Sequence, residues 1–257
     1  MRKRDAIGPE TDTAEAEWVW GIHAVEEVMR QDAGKIHELV VRKGGTGRKV
    51  REIVSVARNM GIRVRFMDFD RLGWLKRYHH QGVAVRMRPV SLLPLDDLLA
   101  VAGAKGTNRV LVLDSIQDPR NLGSIFRSAV GAGFLHVVLP RERVAPVSRL
   151  AASASAGAVF HLKLYQAVNL RNTLTALRKA GFWIFGGVAD PEAIPIYEAD
   201  LTGPVCLVVG SEGKGIRPLV RRACDQLVTI PMQQGFDSLN VSVAAALLMF
   251  EVVRQQG

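Results

Sequence analysis

Three short stretches of this 257-residue chain set polar side chains into apolar surroundings, each with a spacing that could support chemistry. The first covers residues 114–134, DSIQDPRNLGSIFRSAVGAGF, directly after the apolar run RVLVL at 109–113. Asp118-Pro119 makes a turn, Asn121 suits a helix N-cap, and the helix that follows ends at Gly131 or Gly133. Asn121 and Arg127 then lie near the carboxyl end of a strand, where open α/β sheets hold their ligands. Periodicity does not put the two on one helical face. A plain capping role for Asn121 and a solvated Arg127 therefore stand beside the functional reading.

The second stretch is VCLVVGSEGKGIRP at 205–218. An apolar strand runs into a loop with Gly210, Gly213 and Gly215 around Glu212 and Lys214, and such loops bring backbone N–H groups close to a ligand. It is not a Walker A loop, because Gly215 rather than a hydroxyl residue follows Lys214, and it lacks the G-x-G-x-x-G dinucleotide fingerprint. An ordinary tight turn has the same composition. The third stretch is IPMQQGFDSLNVSVAAA at 230–246. Pro231 ends a strand, and Asp237 or Ser238 is expected to cap a final helix over 239–254. Leu239, Val241 and Val243 are core residues. Asn240 and Ser242 must find hydrogen-bond partners or bind something.

These stretches need a scaffold, and the apolar pattern supplies one. From about Leu95 onward, continuous apolar runs at 109–113, 135–139, 182–188, 205–209 and 227–230 are expected to form a mostly parallel sheet covered by helices. The final helix is rich in Ala and Val and should be buried. Ahead of it, residues 18–89 alternate short strands (36–41, 62–66 and around 83–85) with helices at 50–60 and 69–77. Pro89 and Pro94 mark a linker at 90–95. The expected organisation is a polar tail at 1–17, a small α/β domain at 18–89, that linker, and a larger α/β domain at 96–257.

Lys and Arg total 34 against 25 Asp and Glu, a formal charge of +9. Residues 1–89 hold 18 basic and 12 acidic side chains, and residues 90–257 hold 16 and 13. That surplus points to a polyanionic partner, nucleic acid before membrane. Its densest ordered stretch is RKGGTGRKVR at 42–51, where five of ten residues are basic. No run approaches the roughly 18 apolar residues of a spanning helix, and the basic start has no apolar core to make it a signal peptide. Cys206 and Cys224 lack CxxC partners. They are expected to be reduced thiols of a cytoplasmic protein, with no zinc site and no other metal cluster.

Together, and in this order, DPxNLG…R, GxEGxG and IPM…SLNVSVA resemble the three signature motifs of the SpoU/TrmH family of RNA ribose 2′-O-methyltransferases, within the SPOUT superfamily. WGIHAV at 20–25 and HQGV at 80–83 resemble the two ends of the L30-like substrate-binding domain that often precedes the catalytic one. The resemblance covers nearly the whole chain beyond the tail. Length and layout are most similar to members that methylate a guanosine of 23S rRNA. The resemblance implies an α/β sheet with helices on both faces, whose part from about Val205 onward threads a loop to make a trefoil knot. It also implies a homodimer with the active site shared across the interface, and S-adenosylmethionine bound at Gly210, Ile230 and Leu239.

By the same resemblance Arg127 takes or polarises the proton of the ribose hydroxyl. A free guanidinium stays protonated at working pH, so orienting the 3′-phosphate and stabilising charge on the oxygen is the alternative. Asn121, Glu212, Ser238 and Asn240 match the other polar positions of the family site. Asn121 and Asn240 are expected to position Arg127 and the ribose, while Glu212 either pairs with Arg127 or holds a loop amide. In a domain that resembles an RNA-binding module, Lys43, Arg48 and Lys49 become candidates for phosphate contacts. Arg120, where many relatives carry His, joins them. Gln233-Gln234 precede Gly235 in a loop that varies in the family. Competing readings are a methyltransferase of tRNA or of an rRNA adenosine of the antibiotic-resistance type, and a non-catalytic ribosome-assembly factor with the same fold. A generic nucleotide-binding enzyme is disfavoured by the missing Walker A pair.

Overall fold

A computed structural model describes residues 17–44, 47–73, 75, 78–103, 107–233 and 238–257. The tail expected at 1–17 lies outside them except for Glu17. The chain divides into two compact units, Met1–Val90 and Ser91–Gly257.

The N-terminal unit runs β1 (Glu17–Trp20), α1 (Ile22–Asp32), β2 (Ile36–Arg42), α2 (Arg48–Asn59), β3 (Val64–Met67) and β4 (Val83–Met87). Its sheet has the order β1-β4-β2-β3. β4 pairs antiparallel with β1 and β2, and β3 lies parallel to β2 at the edge. Leu39, Val40 and Val41 make β2 the buried centre. In α2 the buried residues are Val50, Ile53 and Ala57, three- and four-residue steps that turn one face inward and leave the cations outward. Of the helix expected at 69–77, the described residues show 3-10 geometry, over Phe69–Arg71 and again at 73 and 75. The Asp68 carboxylate accepts the Asp70 N–H at 3.1 Å and caps the first of these turns. Residues 74, 76 and 77 of that reading lie outside the described residues.

The C-terminal unit runs β5 (Leu93–Pro94), α3 (Leu95–Val101), β6 (Arg109–Asp114), α4 (Pro119–Gly131), β7 (His136–Pro140), α5 (Arg149–Ala154), β8 (Lys163–Ala167) and α6 (Leu170–Lys179). It continues with β9 (Trp183–Gly187), β10 (Ile194–Pro195), β11 (Val205–Gly210), α7 (Pro218–Arg221), β12 (Gln226–Thr229) and α8 (Val241–Gln256). The eight strands lie in the order β10-β12-β9-β11-β6-β7-β8-β5, all parallel. β11 is buried along its whole length and β6 at all but its first residue. A parallel sheet covered on both faces needs such continuous apolar runs. Periodicity did not foresee β8, whose buried Leu164, Tyr165 and Ala167 are interrupted by outward Lys163 and Gln166. The linker expected at 90–95 contains a short strand. Leu93–Pro94 pairs with β8 at the sheet's edge, where a proline's missing N–H costs no ladder bond.

Strand order decides where a ligand can enter. β7 and β8 extend the sheet on one side of β6, while β9, β11 and β12 lie on the other. The order reverses between β6 and β11, and their carboxyl ends sit together, with Asp114 in register with Gly210. A crevice opens at such a reversal in doubly wound sheets.

Candidate active site

Helix α4 begins from the loop after β6. Its N-cap is Asp118, whose carboxylate accepts the Arg120 N–H at 2.8 Å, with Pro119 in the first turn. A cap directly before a proline exploits the ring's preset φ. Asn121, expected to be the cap, therefore sits inside the first turn with its side chain free to reach outward. Its amide Nδ2 donates to Glu212 Oε1, and its Oδ1 accepts from Asn240 Nδ2 at 3.2 Å. Glu212 thus meets Asn121, not Arg127.

The last helix also starts later than expected. Asn240 caps α8, accepting from the Ser242 N–H at 2.9 Å and the Ser242 hydroxyl at 2.6 Å. Asp and Ser are as good at capping as Asn, so local pattern could not choose among Asp237, Ser238 and Asn240. Asp237 lies outside the described residues. Asn240 and Ser242 partner each other, and through Asn240 the network runs on to Asn121 and Glu212.

The loop after β11 presents Glu212. A Cβ at Gly210 would stand 2.1 Å from the Gly215 carbonyl carbon, so only glycine lets the loop fold back there. Reciprocal bonds then close it, Ser211 N–H to Gly215 O at 3.1 Å and Gly215 N–H to Ser211 O at 2.8 Å. Its far end is tied to Asp114, wholly buried at the end of β6. That carboxylate accepts the Arg217 N–H at 2.9 Å, the Arg217 guanidinium Nε at 2.6 Å and the Ser115 hydroxyl at 3.0 Å. Sequence reasoning missed Asp114 and Arg217. The acid closing an apolar strand was the only signal, and nothing local says that its partner lies 103 residues on.

A cavity of about 710 Å³ lies against these loops, within the range of small-ligand sites. Gly210, Glu212, Ile230, Ser238, Leu239 and Asn240 all line it. Val188 and Leu248 add apolar wall, and Asp190 and Arg221 add a polar corner. The Glu192 N–H, then the Arg221 guanidinium, hold the Asp190 carboxyl below the usual carboxylate range. Apolar walls, a glycine-rich backbone loop and carboxylates for hydroxyl or ammonium groups fit a nucleoside carrying an amino acid. S-Adenosylmethionine is such a molecule.

Arg127 does not join the Asn121–Glu212–Asn240 group. It is exposed on α4, six residues beyond Asn121, with no hydrogen bond or ion pair among the described residues. The expectation that Asn121 and Asn240 position Arg127 does not hold within one chain, because six helical steps turn its side chain to another face. Arg120 is exposed in the first turn of α4. In the other unit Lys43 and Lys49 are exposed, and Arg48 pairs with Glu52 at 2.9 Å. Among the described residues no group of three or more His, Cys, Asp and Glu side chains could hold a metal ion. Cys206 and Cys224 are free thiols. Burial pushes both up, Cys224 to about 12.

The sequence pattern of the SpoU rRNA Methylase family matches residues 108–250, and that of RNA 2′-O ribose methyltransferase substrate binding matches residues 18–93. The 23S rRNA (guanosine-2′-O-)-methyltransferase RlmB of Xanthomonas campestris is 40% identical over 242 residues, 93% of this chain and 97% of its own. The RlmB of Yersinia pestis is 35% identical over 94% of this chain and 98% of its own. Among solved structures, an AdoMet-bound rRNA methyltransferase from Sinorhizobium meliloti superposes with a TM-score of 0.76 at 25% identity, covering 93% of this chain and 87% of that one.

Proposed function

Because the chain belongs to the SpoU rRNA methylase family, we propose that it transfers the methyl group of S-adenosylmethionine to the ribose 2′-hydroxyl of a guanosine in 23S rRNA. The observation that carries this reading is the hydrogen-bonded run Ser242–Asn240–Asn121–Glu212, which joins three distant segments beside a nucleoside-sized cavity. S-Adenosylmethionine, when bound, supplies a methyl on a positively charged sulfur, an electrophile that a hydroxyl oxygen attacks directly.

The chain's own residues hold and orient the reactants, and the hydroxyl proton leaves to water. Gly210, Ile230 and Leu239 hold the donor, the first through loop backbone and the other two as apolar wall. Asn121 and Asn240 present amides, and Ser238 a hydroxyl, to the ribose. Glu212 fixes the Asn121 amide by accepting its N–H. The Arg127 guanidinium orients the 3′-phosphate and offsets the negative charge that grows on the 2′-oxygen as its proton passes to solvent water. It reaches the ribose from a second copy of the chain, which its exposure and its lack of an ion pair among the described residues support. The half-exposed apolar residues Val243, Leu247 and Phe250, at four- and three-residue steps on α8, support a homodimer that covers them.

The segment from Val205 onward, whose strand β11 slots between β9 and β6, is the part read as threading a trefoil knot. The N-terminal unit serves as an L30-like RNA-binding domain. Lys43, Arg48 and Lys49 on it, and Arg120 on the catalytic unit, contact phosphates. Among the described residues no helix is long and apolar enough to cross a membrane, and an rRNA substrate places the work in the cytoplasm. The test is mass spectrometry of ribose methylation in rRNA and tRNA from cells with and without the gene. Loss of one 2′-O-methylguanosine from 23S rRNA is expected. Loss of a tRNA or adenosine mark instead overturns the substrate, and no change at all favours an assembly factor.

A further inference from the structure

We propose that the groove between α2 and β3 of the N-terminal unit binds an unpaired stretch of the RNA, with Phe66 as the platform on which one base stacks. This rests on the reading that the chain acts on RNA, and it adds a binding subsite separate from the cations at 43–49. The groove holds a cavity of about 340 Å³ lined by Arg51, Val54, Ser55, Arg58 and Asn59 from α2 and by Phe66 from β3. Phe66 is 47% exposed, unusual for a phenyl ring on a strand. Arg51, Ser55 and Arg58 are spaced four and three residues apart, which aligns them along one side of the helix.

Charge selects the occupant. No acidic side chain lines the groove. Elsewhere in this unit Arg30 pairs with Glu27 at 2.8 Å, Arg48 with Glu52 at 2.9 Å and Arg65 with Glu38 at 3.8 Å. Arg51 and Arg58 form no ion pair among the described residues, so both cations are free for an anion. Two free guanidiniums flanking an open aromatic face match a sugar–phosphate strand with a splayed base, because every base has a π-face and every linkage a charge. A duplex fits poorly, since its bases are already stacked on each other. Among the described residues β3 pairs only with β2, so its outer N–H and C=O groups are free to meet a base edge. Anchoring one nucleotide here raises the effective concentration of the remaining RNA at the catalytic unit.

The experiment uses the full-length protein and two probes, a 23S rRNA transcript and a single-stranded oligonucleotide carrying 5-iodouridine. Phe66→Ala is expected to weaken RNA binding by roughly 5- to 150-fold, the range for losing a base-stacking ring, and Phe66→Trp to restore it. Donor affinity and Tm should hold, and photocrosslinks should map to β3. Arg51→Gln with Arg58→Gln should lower the salt slope of binding by about 1.4, roughly 0.7 for each single-strand phosphate contact. Should Phe66→Ala unfold the chain, Phe66→Leu keeps the apolar bulk without the ring and should still weaken binding. Wild-type affinity in Phe66→Leu, or no recovery in Phe66→Trp, overturns the groove. So does an extended peptide that binds β3 and leaves RNA affinity unchanged. Failure of the broader reading looks different: the wild-type protein then methylates no RNA, while any Phe66-dependent binding stands.

Discussion

Around the carboxyl ends of β6 and β11, the polar side chains are tied to one another. Along α2 of the other unit, Lys49, Arg51 and Arg58 stand in solvent with no ion-pair partner among the described residues. In the first region Asp114 is wholly buried and accepts three hydrogen bonds, and Asn121 is held at both ends of its amide. The difference follows from what each region must do. Aligning a hydroxyl with a methyl tolerates errors of a fraction of an ångström, so its supports are locked by neighbours. Attracting a polyanion needs only charge in the right place, and holding long cations rigid would cost side-chain entropy for little gain.

The contrast can be broken at its strongest point first. Arg127 is a proposed catalytic group that resembles the second region, exposed and without an ion pair among the described residues. Arg127→Ala should lower kcat by roughly 10²- to 10³-fold, the cost of a lost charge-stabilising donor, with folding and donor affinity retained. Substantial remaining methyl transfer would remove Arg127 from the mechanism. Next, Asp114→Ala should destabilise the chain by about 2–3 kcal/mol in denaturant unfolding, because it leaves the Arg217 N–H without its acceptor. It should also weaken donor binding. An unchanged donor Kd would mean that the loop carrying Glu212 holds its shape unaided.

Charge reversal at Lys43, Arg48 and Lys49 should weaken RNA binding about tenfold and flatten its salt dependence, since phosphate contacts release counterions. Donor affinity should not move. A salt slope equal to that of the wild type would show the basic loop to be only a solvated surface. The smallest effect concerns His136, whose Nδ1 lies 2.9 Å from the Tyr165 hydroxyl. Burial first, and Lys163 second, pull its pKa below the ordinary 6.5. Between that lowered value and 6.5 the unfolded chain binds more protons than the folded one. Stability is therefore full above about 6.5 and falls as the pH drops through that window. His136→Gln should flatten this part of the curve of Tm against pH, and an unaltered curve would assign the slope to other groups.

The central strands, the final helix and the three chemical stretches were legible because each is a local pattern. Runs such as RVLVL and VCLVVG are apolar on both faces only where a sheet is covered twice. What failed also failed for local reasons. Asp118 takes the cap that Asn121 is also suited to, because Pro119 follows it, and Asn240 takes the cap from Ser238 among chemically equivalent choices. The apolar spacing at 69–77 reads as a helix, whereas the described residues there form 3-10 turns, the first of them capped by Asp68.

By itself the sequence determined the sheet's central strands, the family motifs and the types of side chain that the site would contain. Tertiary structure alone decided their partners. Asn121 meets Glu212 across 91 residues and Asn240 across 119, and Arg217 reaches Asp114 across 103. Spacing along a chain governs contacts within one turn or one strand. Contacts between segments depend on the strand order that sets β11 beside β6, and no local periodicity encodes that order.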